Sequence, residues 1–135
     1  MYHFAYCDNC EQRIFGTRFK CMHCKNFDLC NDCESHCNHD QSHAFVKIKW
    51  QIHNIIHLPH YVNEFMILDK NAEVSCDNCH KFPIFGFKYK CGHCESFNLC
   101  DDCEPTYEHN PNHAFIKYSK SIKYFKEPHL LPIFY

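Results

Sequence analysis

The sequence predicts a small α+β fold stapled by metal ions and built from two copies of one module. Three observations carry this reading. The chain holds 13 Cys and 13 His in 135 residues, close to the cysteine level of disulfide or metal scaffolds. The tetrapeptide CDNC occurs at residues 7–10 and again at 76–79. Each occurrence opens the same run of Cys and His within a copy of about 45 residues, too short a stretch to bury a self-sufficient core.

The first copy runs Cys7, Cys10, Cys21, Cys24, Cys30, Cys33, His39 and His43. The second runs Cys76, Cys79, Cys91, Cys94, Cys100, Cys103, His109 and His113. The offset is 69 for the first pair and 70 for the rest, so one residue has been added between Cys79 and Cys91. The intervening segments also match. RIFGTRFKC (13–21) aligns with PIFGFKYKC (83–91), NFDLCNDCE (26–34) with SFNLCDDCE (96–104), and HAFVKI (43–48) with HAFIKY (113–118). The repeat selects among histidines: His39 and His43 have counterparts, whereas His36 and Cys37 do not.

Six Cys and two His per copy are donors for two tetrahedral zinc ions, four per chain, with no position left open. That is the arrangement of structural rather than catalytic zinc. Spacing alone permits either sequential or crossed pairing of the Cys pairs. Iron–sulfur ligation is a minor alternative that the His pairs disfavour. Disulfides would imply secretion, and MYHFAYCDNC has no basic region followed by an apolar run. No segment approaches the roughly 18–20 apolar residues of a membrane span. A reducing intracellular compartment is expected, with cytoplasm and an organelle interior such as the mitochondrion not distinguished.

Within each module, Ile14, Phe15, Phe19, Phe27, Leu29, Phe45 and Val46 are read as a small core on short strands. Ile84, Phe85, Tyr89, Phe97, Leu99, Phe115 and Ile116 repeat it, and Gly16 and Gly86 are assigned to turns. His23 and His93 match one another and are given local hydrogen bonding.

These residues resemble the ZZ-type zinc finger: CDNC, GTRFKCMHC, FDLCNDC and HDQSH in one copy, and CDNC, GFKYKCGHC, FNLCDDC and HNPNH in the other. The resemblance covers roughly residues 5–48 and 74–118. It implies two cross-braced fingers. Cys7, Cys10, Cys30 and Cys33 would share one zinc, and Cys21, Cys24, His39 and His43 the other. In the second finger the sets would be Cys76, Cys79, Cys100, Cys103 and Cys91, Cys94, His109, His113. RING fingers order their ligands differently, which weakens a ubiquitin-ligase analogy. ZZ fingers similar to these hold free protein N-termini, as in autophagy receptors, N-degron readers and histone-tail readers. The Asp inside the first Cys pair takes the α-amine, and acids before the third pair take the next positive group. Carried over, Asp8 and Asp28 would do this in finger one. Finger two keeps Asp77 but has Ser96 and Asn98 in place of acids.

The organisation expected is finger one over 1–49, an apolar linker over 50–69, finger two over 70–118 and an apolar C-terminal tail over 119–135. The linker WQIHNIIHLPHYVNEFMILD has the apolar spacing of a short helix after Pro59. The prolines of the tail favour an extended segment. Zinc on four thiolates adds about −2 per finger to a formal net charge of −2. Such acidic fingers are poor phosphate binders, so nucleic acid is disfavoured. No arrangement of nucleophile, base and orienting group stands out, so no enzyme is expected. The sequence therefore reads as a complete, non-catalytic protein–protein interaction protein. The leading expectation is an accessory subunit held in a larger assembly through linker and tail. A reader of protein N-termini is the alternative.

Metal analysis of the purified chain is expected to give about four zinc ions per molecule, with loss of structure on chelation. About two per molecule would remove one site from each finger and refute the eight-donor reading.

Overall fold

The structure is a computed structural model that describes residues 2–49, 73–110 and 112–119. The linker reading over 50–69, with its helix, and the tail beyond Ser119 lie outside the described residues.

The strands are short because metal-binding cysteines end them. Finger one has β1 (Tyr2–Tyr6), β2 (Arg13–Phe15), β3 (Arg18–Cys21), β4 (Asp28–Cys30), the single-turn helix α1 (Asn31–Glu34) and β5 (Phe45–Ile48). Finger two has β6 (Lys88–Cys91), β7 (Asn98–Cys100) and β8 (Phe115–Tyr118). β3, β4, β6 and β7 each stop at a cysteine that opens a tight turn. The chain turns sharply again at Gly16 and Gly86, with φ of +82° and +78°, angles that glycine adopts without penalty.

β1 and β2 form a separate antiparallel ribbon. Finger two has no matching ribbon among its described residues. Pro83 stands where finger one has Arg13 and brings no N–H to a ladder. One bond of the kind survives, from Ile84 N–H to the Val74 carbonyl at 3.0 Å. The added residue therefore falls where the two fingers differ in backbone.

The remaining strands make one six-stranded antiparallel sheet, in the order β4-β3-β5-β8-β6-β7. The fingers meet at its centre. There Phe45 lies opposite Lys117, Val46 opposite Ile116 and Lys47 opposite Phe115. Residues 45, 46 and 47 are the repeat counterparts of 115, 116 and 117. The register therefore maps onto itself when the fingers are exchanged, as in an isologous contact. The local two-fold axis of an antiparallel pair stands normal to the sheet.

Two ion pairs, one with the buried Glu104 and one only part-buried, obey the same exchange. Lys47 Nζ lies 2.7 Å from Glu104 Oε2, and Lys117 pairs with Glu34. Lys47 also sits over the rings of Phe19 and Tyr89, 5.6 and 5.7 Å from their centroids, and Lys117 lies 4.4 Å over Phe87. Each ammonium thus has a carboxylate and an aromatic face in place of water.

Each finger keeps its own small core. Ile14, Phe19, Leu29 and Phe45 pack with zinc-site cysteines in one, and Ile84, Tyr89, Leu99 and Phe115 in the other. Phe15 and Phe85, expected in those cores, are 61% and 69% exposed. They follow the fully buried Ile14 and Ile84, and side chains of adjacent extended residues point to opposite sides.

Glu104 is 1% exposed, so its removal strands Lys47. Glu104→Ala is expected to destabilise the zinc-loaded chain by about 3 kcal/mol, and Lys47→Met with Glu104→Leu to restore most of it. Denaturant titration of the three proteins checks this; a cost below about 0.5 kcal/mol for Glu104→Ala would remove the pair from the account.

Candidate metal centres and the loops that bear Asp8 and Asp77

The sixteen Cys and His donors of the repeat come together in four groups of four. These are Cys7/Cys10/Cys30/Cys33, Cys21/Cys24/His39/His43, Cys76/Cys79/Cys100/Cys103 and Cys91/Cys94/His109/His113. In each, the donor atoms lie within 4.8 Å of one another. Pairs one and three meet, and pairs two and four meet, which is the crossed arrangement.

The spacings fit zinc. Zn–S and Zn–N bonds of about 2.3 and 2.0–2.1 Å at tetrahedral angles put S···S edges near 3.8 Å, S···N near 3.6 Å and N···N near 3.3 Å. The Sγ atoms of Cys10 and Cys30 are 4.0 Å apart, and those of Cys79 and Cys100 are 3.9 Å apart. Cys24 Sγ lies 3.6 Å from His39 Nε2 and 3.5 Å from His43 Nδ1. The two histidine nitrogens are 3.1 Å apart, and their counterparts in finger two 3.2 Å. The first histidine of each pair thus turns in Nε2 and the second Nδ1. Zinc at these sites supplies cohesion between segments that share little apolar surface.

The surroundings prepare the donors. Backbone N–H groups of Asn9 and Cys10 point at Cys7 Sγ, at 3.4 and 3.5 Å. The turn that aims them places Glu11 at φ +65°, and its counterpart His80 at +66°. Burial disfavours the Cys7 thiolate, but amide donation from Cys10, Cys30 and Asn9 outweighs it and holds the thiol down to about 7. Cys76 is held down to about 6 in the same way. Burial dominates at the mixed sites and pushes Cys21 up to about 12 and Cys91 to about 11. Burial, and then the neighbouring His43 or His113, lowers His39 and His109 and keeps those imidazoles neutral.

Core aromatics fix the ligand rings. Phe27 stacks on His39 with centroids 4.1 Å apart, and Phe97 on His109 at 4.5 Å. His23 and His93 make the local hydrogen bonds expected of them. Their Nδ1 atoms accept the Ala44 and Ala114 N–H groups at 2.9 and 3.1 Å. Their rings stack on the ligands His43 and His113. Matching positions in the two copies were the sequence signal for this role. Cys37 packs against the core of finger one and belongs to none of the four groups.

Asp8 and Asp77 occupy identical settings. The Asp8 N–H donates to the Asp28 carbonyl at 2.8 Å, and Asp8 Oδ2 accepts the Asp28 N–H at 2.7 Å. Asp77 makes the same two bonds, of 2.8 and 2.7 Å, to Asn98. Each CDNC loop is thereby clipped to an outer strand of the sheet, β4 or β7. Both aspartates are exposed, and their Oδ1 atoms are not engaged in the clip. Asp28 differs. It is 5% exposed, with Oδ1 2.8 Å from Arg18 Nε and Oδ2 3.8 Å from Lys20 Nζ.

The description "Zinc finger, ZZ type" matches residues 1–45 and 70–114 of the chain. The chain belongs to the ZZ-type zinc finger family. It carries four zinc sites, two in each finger. The autophagy receptor Nbr1 of Schizosaccharomyces pombe is 33% identical over 126 residues, which cover 88% of this chain and 32% of that protein. The human Next to BRCA1 gene 1 protein is 38% identical over 69 residues, 48% of this chain and 7% of its own length. A crystal structure of the HERC2 ZZ domain in complex with the SUMO1 tail aligns with 41% of this chain and 98% of that one, at 36% identity and a TM-score of 0.34. The chain thus spans a third or less of the curated relatives named here. No described helix is long and apolar enough to cross a membrane.

Zinc must displace the thiol protons that burial retains at Cys21 and Cys91, so acid favours the metal-free form. Zinc retention against a fixed chelator is expected to strengthen with rising pH, by about tenfold per unit for each proton released. Chelator competition across neutral pH checks the sign; retention independent of pH would contradict it.

Proposed function

We propose that this ZZ protein is a non-catalytic receptor module that binds the free N-terminus of other proteins through the exposed carboxylate of the CDNC loop. One observation carries the reading. The same zinc that closes the loop, together with the two bonds to the outer strand, holds the exposed Asp8 by one carboxylate oxygen and leaves the other out of the clip. An exposed carboxylate held by one oxygen against the outer strand suits a peptide α-ammonium, which offers three donors and a positive charge. Asp77 is placed identically. Asp28 has the internal role in this reading, because Arg18 and Lys20 already face its carboxylate. It orders the strand whose N–H holds Asp8. Likeness to an autophagy receptor across most of the chain supports a role in cargo or substrate capture. The 13 cysteines are free of disulfides, which supports a reducing compartment.

The second reading is the accessory subunit anchored in a larger assembly. It depends on residues 50–69 and 120–135, outside the described part of the chain, and on the acidic character of the fingers. It requires no free α-amine on the partner.

Isothermal titration with a short Ala-initiated peptide and its N-acetylated form separates the two. The free amine is expected to bind, and acetylation to weaken binding by about tenfold or more. Asp8→Asn keeps an oxygen for the Asp28 N–H but removes the charge. It is expected to preserve the fold and the zinc content while losing most of finger one's binding. Equal binding of both peptides, or none, would leave the accessory-subunit reading in possession.

A further inference from the structure

The two CDNC loops are not independent appendages. They sit at opposite ends of a single sheet whose centre is self-complementary. From β4 to β7 there are five strand-to-strand steps, which at about 4.8 Å each separate the edges by about 24 Å. The axis relating the fingers runs between β5 and β8, normal to the sheet, because Val46 lies opposite Ile116 and the flanking pairs exchange. A rotation about a sheet normal keeps each face on its own side. It carries the Asp8 loop at the β4 edge onto the Asp77 loop at the β7 edge, at the same height relative to the sheet.

The junction that fixes this geometry is built to be rigid. Six side chains, Lys47, Lys117, Glu34, Glu104, Phe19 and Tyr89, bind the fingers across it. The loops are also chemically matched. Each aspartate spends no charge on a neighbouring cation in the clip, and each makes the same pair of backbone bonds of 2.7–2.8 Å. The replacement of Asp28 by Asn98 in finger two does not disturb this match, since Asp28 faces Arg18 and Lys20.

We infer that the protein is a bivalent receptor whose partner is a two-fold symmetric oligomer, presenting two copies of one N-terminal segment on one face. The inference rests on the N-terminus reading above and adds valency and partner symmetry to it. A monomeric protein with a single N-terminus engages one loop and gains nothing from the second. A homodimer whose two N-termini emerge on the same side, about 24 Å or more apart, engages both. The second contact is then intramolecular, at an effective concentration set by the rigid spacing.

The test compares one Ala-initiated peptide in two forms on the full zinc-loaded chain, immobilised at low density. One form is monomeric. The other is two copies joined at their C-termini through flexible Gly/Ser arms long enough to span the sheet, both N-termini free. The bivalent form is expected to bind about tenfold or more tighter than the monomer, beyond its statistical factor. Sedimentation is expected to show one bivalent ligand per chain. Asp77→Asn and Asp8→Asn should each return the bivalent form to the monovalent level, with fold and zinc content unchanged. N-acetylation of both arms should abolish the gain. Monovalent binding through Asp8 with no bivalent gain, or a gain untouched by Asp77→Asn, overturns the inference and leaves the N-terminus reading standing. Binding of neither form overturns both.

Discussion

Crossed metal ligation is the constraint on which everything else depends. Joining Cys7 and Cys10 to Cys30 and Cys33 brings the first loop against the end of β4. Joining Cys21 and Cys24 to His39 and His43 brings the end of β3 against the segment that leads into β5. Each finger is thereby closed twice, at both ends of a sheet whose strands are only three or four residues long. Strands so short bury little apolar area, and the metal contributes the cohesion that a larger core would otherwise provide. Sequential pairing would tie the CDNC loop to the β3 turn instead. Asp8 would then have no reason to meet the Asp28 backbone.

A second layer of order follows from repetition. A module with an exposed edge strand presents unpaired N–H and C=O groups, a liability that proteins cover. Here the cover is the other module. β5 and β8 satisfy one another, and because the modules are copies the contact is self-complementary down to its ion pairs. Burying Glu104 and partly burying Lys47, Lys117 and Glu34 carries a desolvation cost, so these pairs are better understood as setting register than as adding stability. A slip of one residue would turn Lys47 and Lys117 to the opposite face. It would strand Glu34 and Glu104.

Much of the metal chemistry was legible in the chain. Sixteen donors repeated at matched spacings leave few alternatives, and the second copy removed His36 and Cys37 from consideration. The crossed pairing came from family resemblance, not from spacing. The junction between fingers was not legible, because FVKI and FIKY report a buried strand but not its partner. The outward Phe15 and Phe85 were misread as core, since apolar neighbours along a strand cannot share a face. The setting of Asp28 was hidden for a related reason. Its partners Arg18 and Lys20 lie on the adjacent strand, and only the β3–β4 register brings all three to one side. His23 and His93 were noticed as a matched pair, but their bonds to Ala44 and Ala114 depend on a turn that the sequence does not spell out.

The most direct measurement is cadmium-113 NMR of the fully cadmium-substituted protein, correlating each metal with the β-protons of its cysteines. The account predicts four metal signals in two chemical classes. In finger one, a single signal should correlate with Cys7, Cys10, Cys30 and Cys33, and another with Cys21 and Cys24 alone among the cysteines. A signal shared by Cys7, Cys10, Cys21 and Cys24 would establish sequential pairing. It would contradict the crossed fold and, with it, the placement of Asp8.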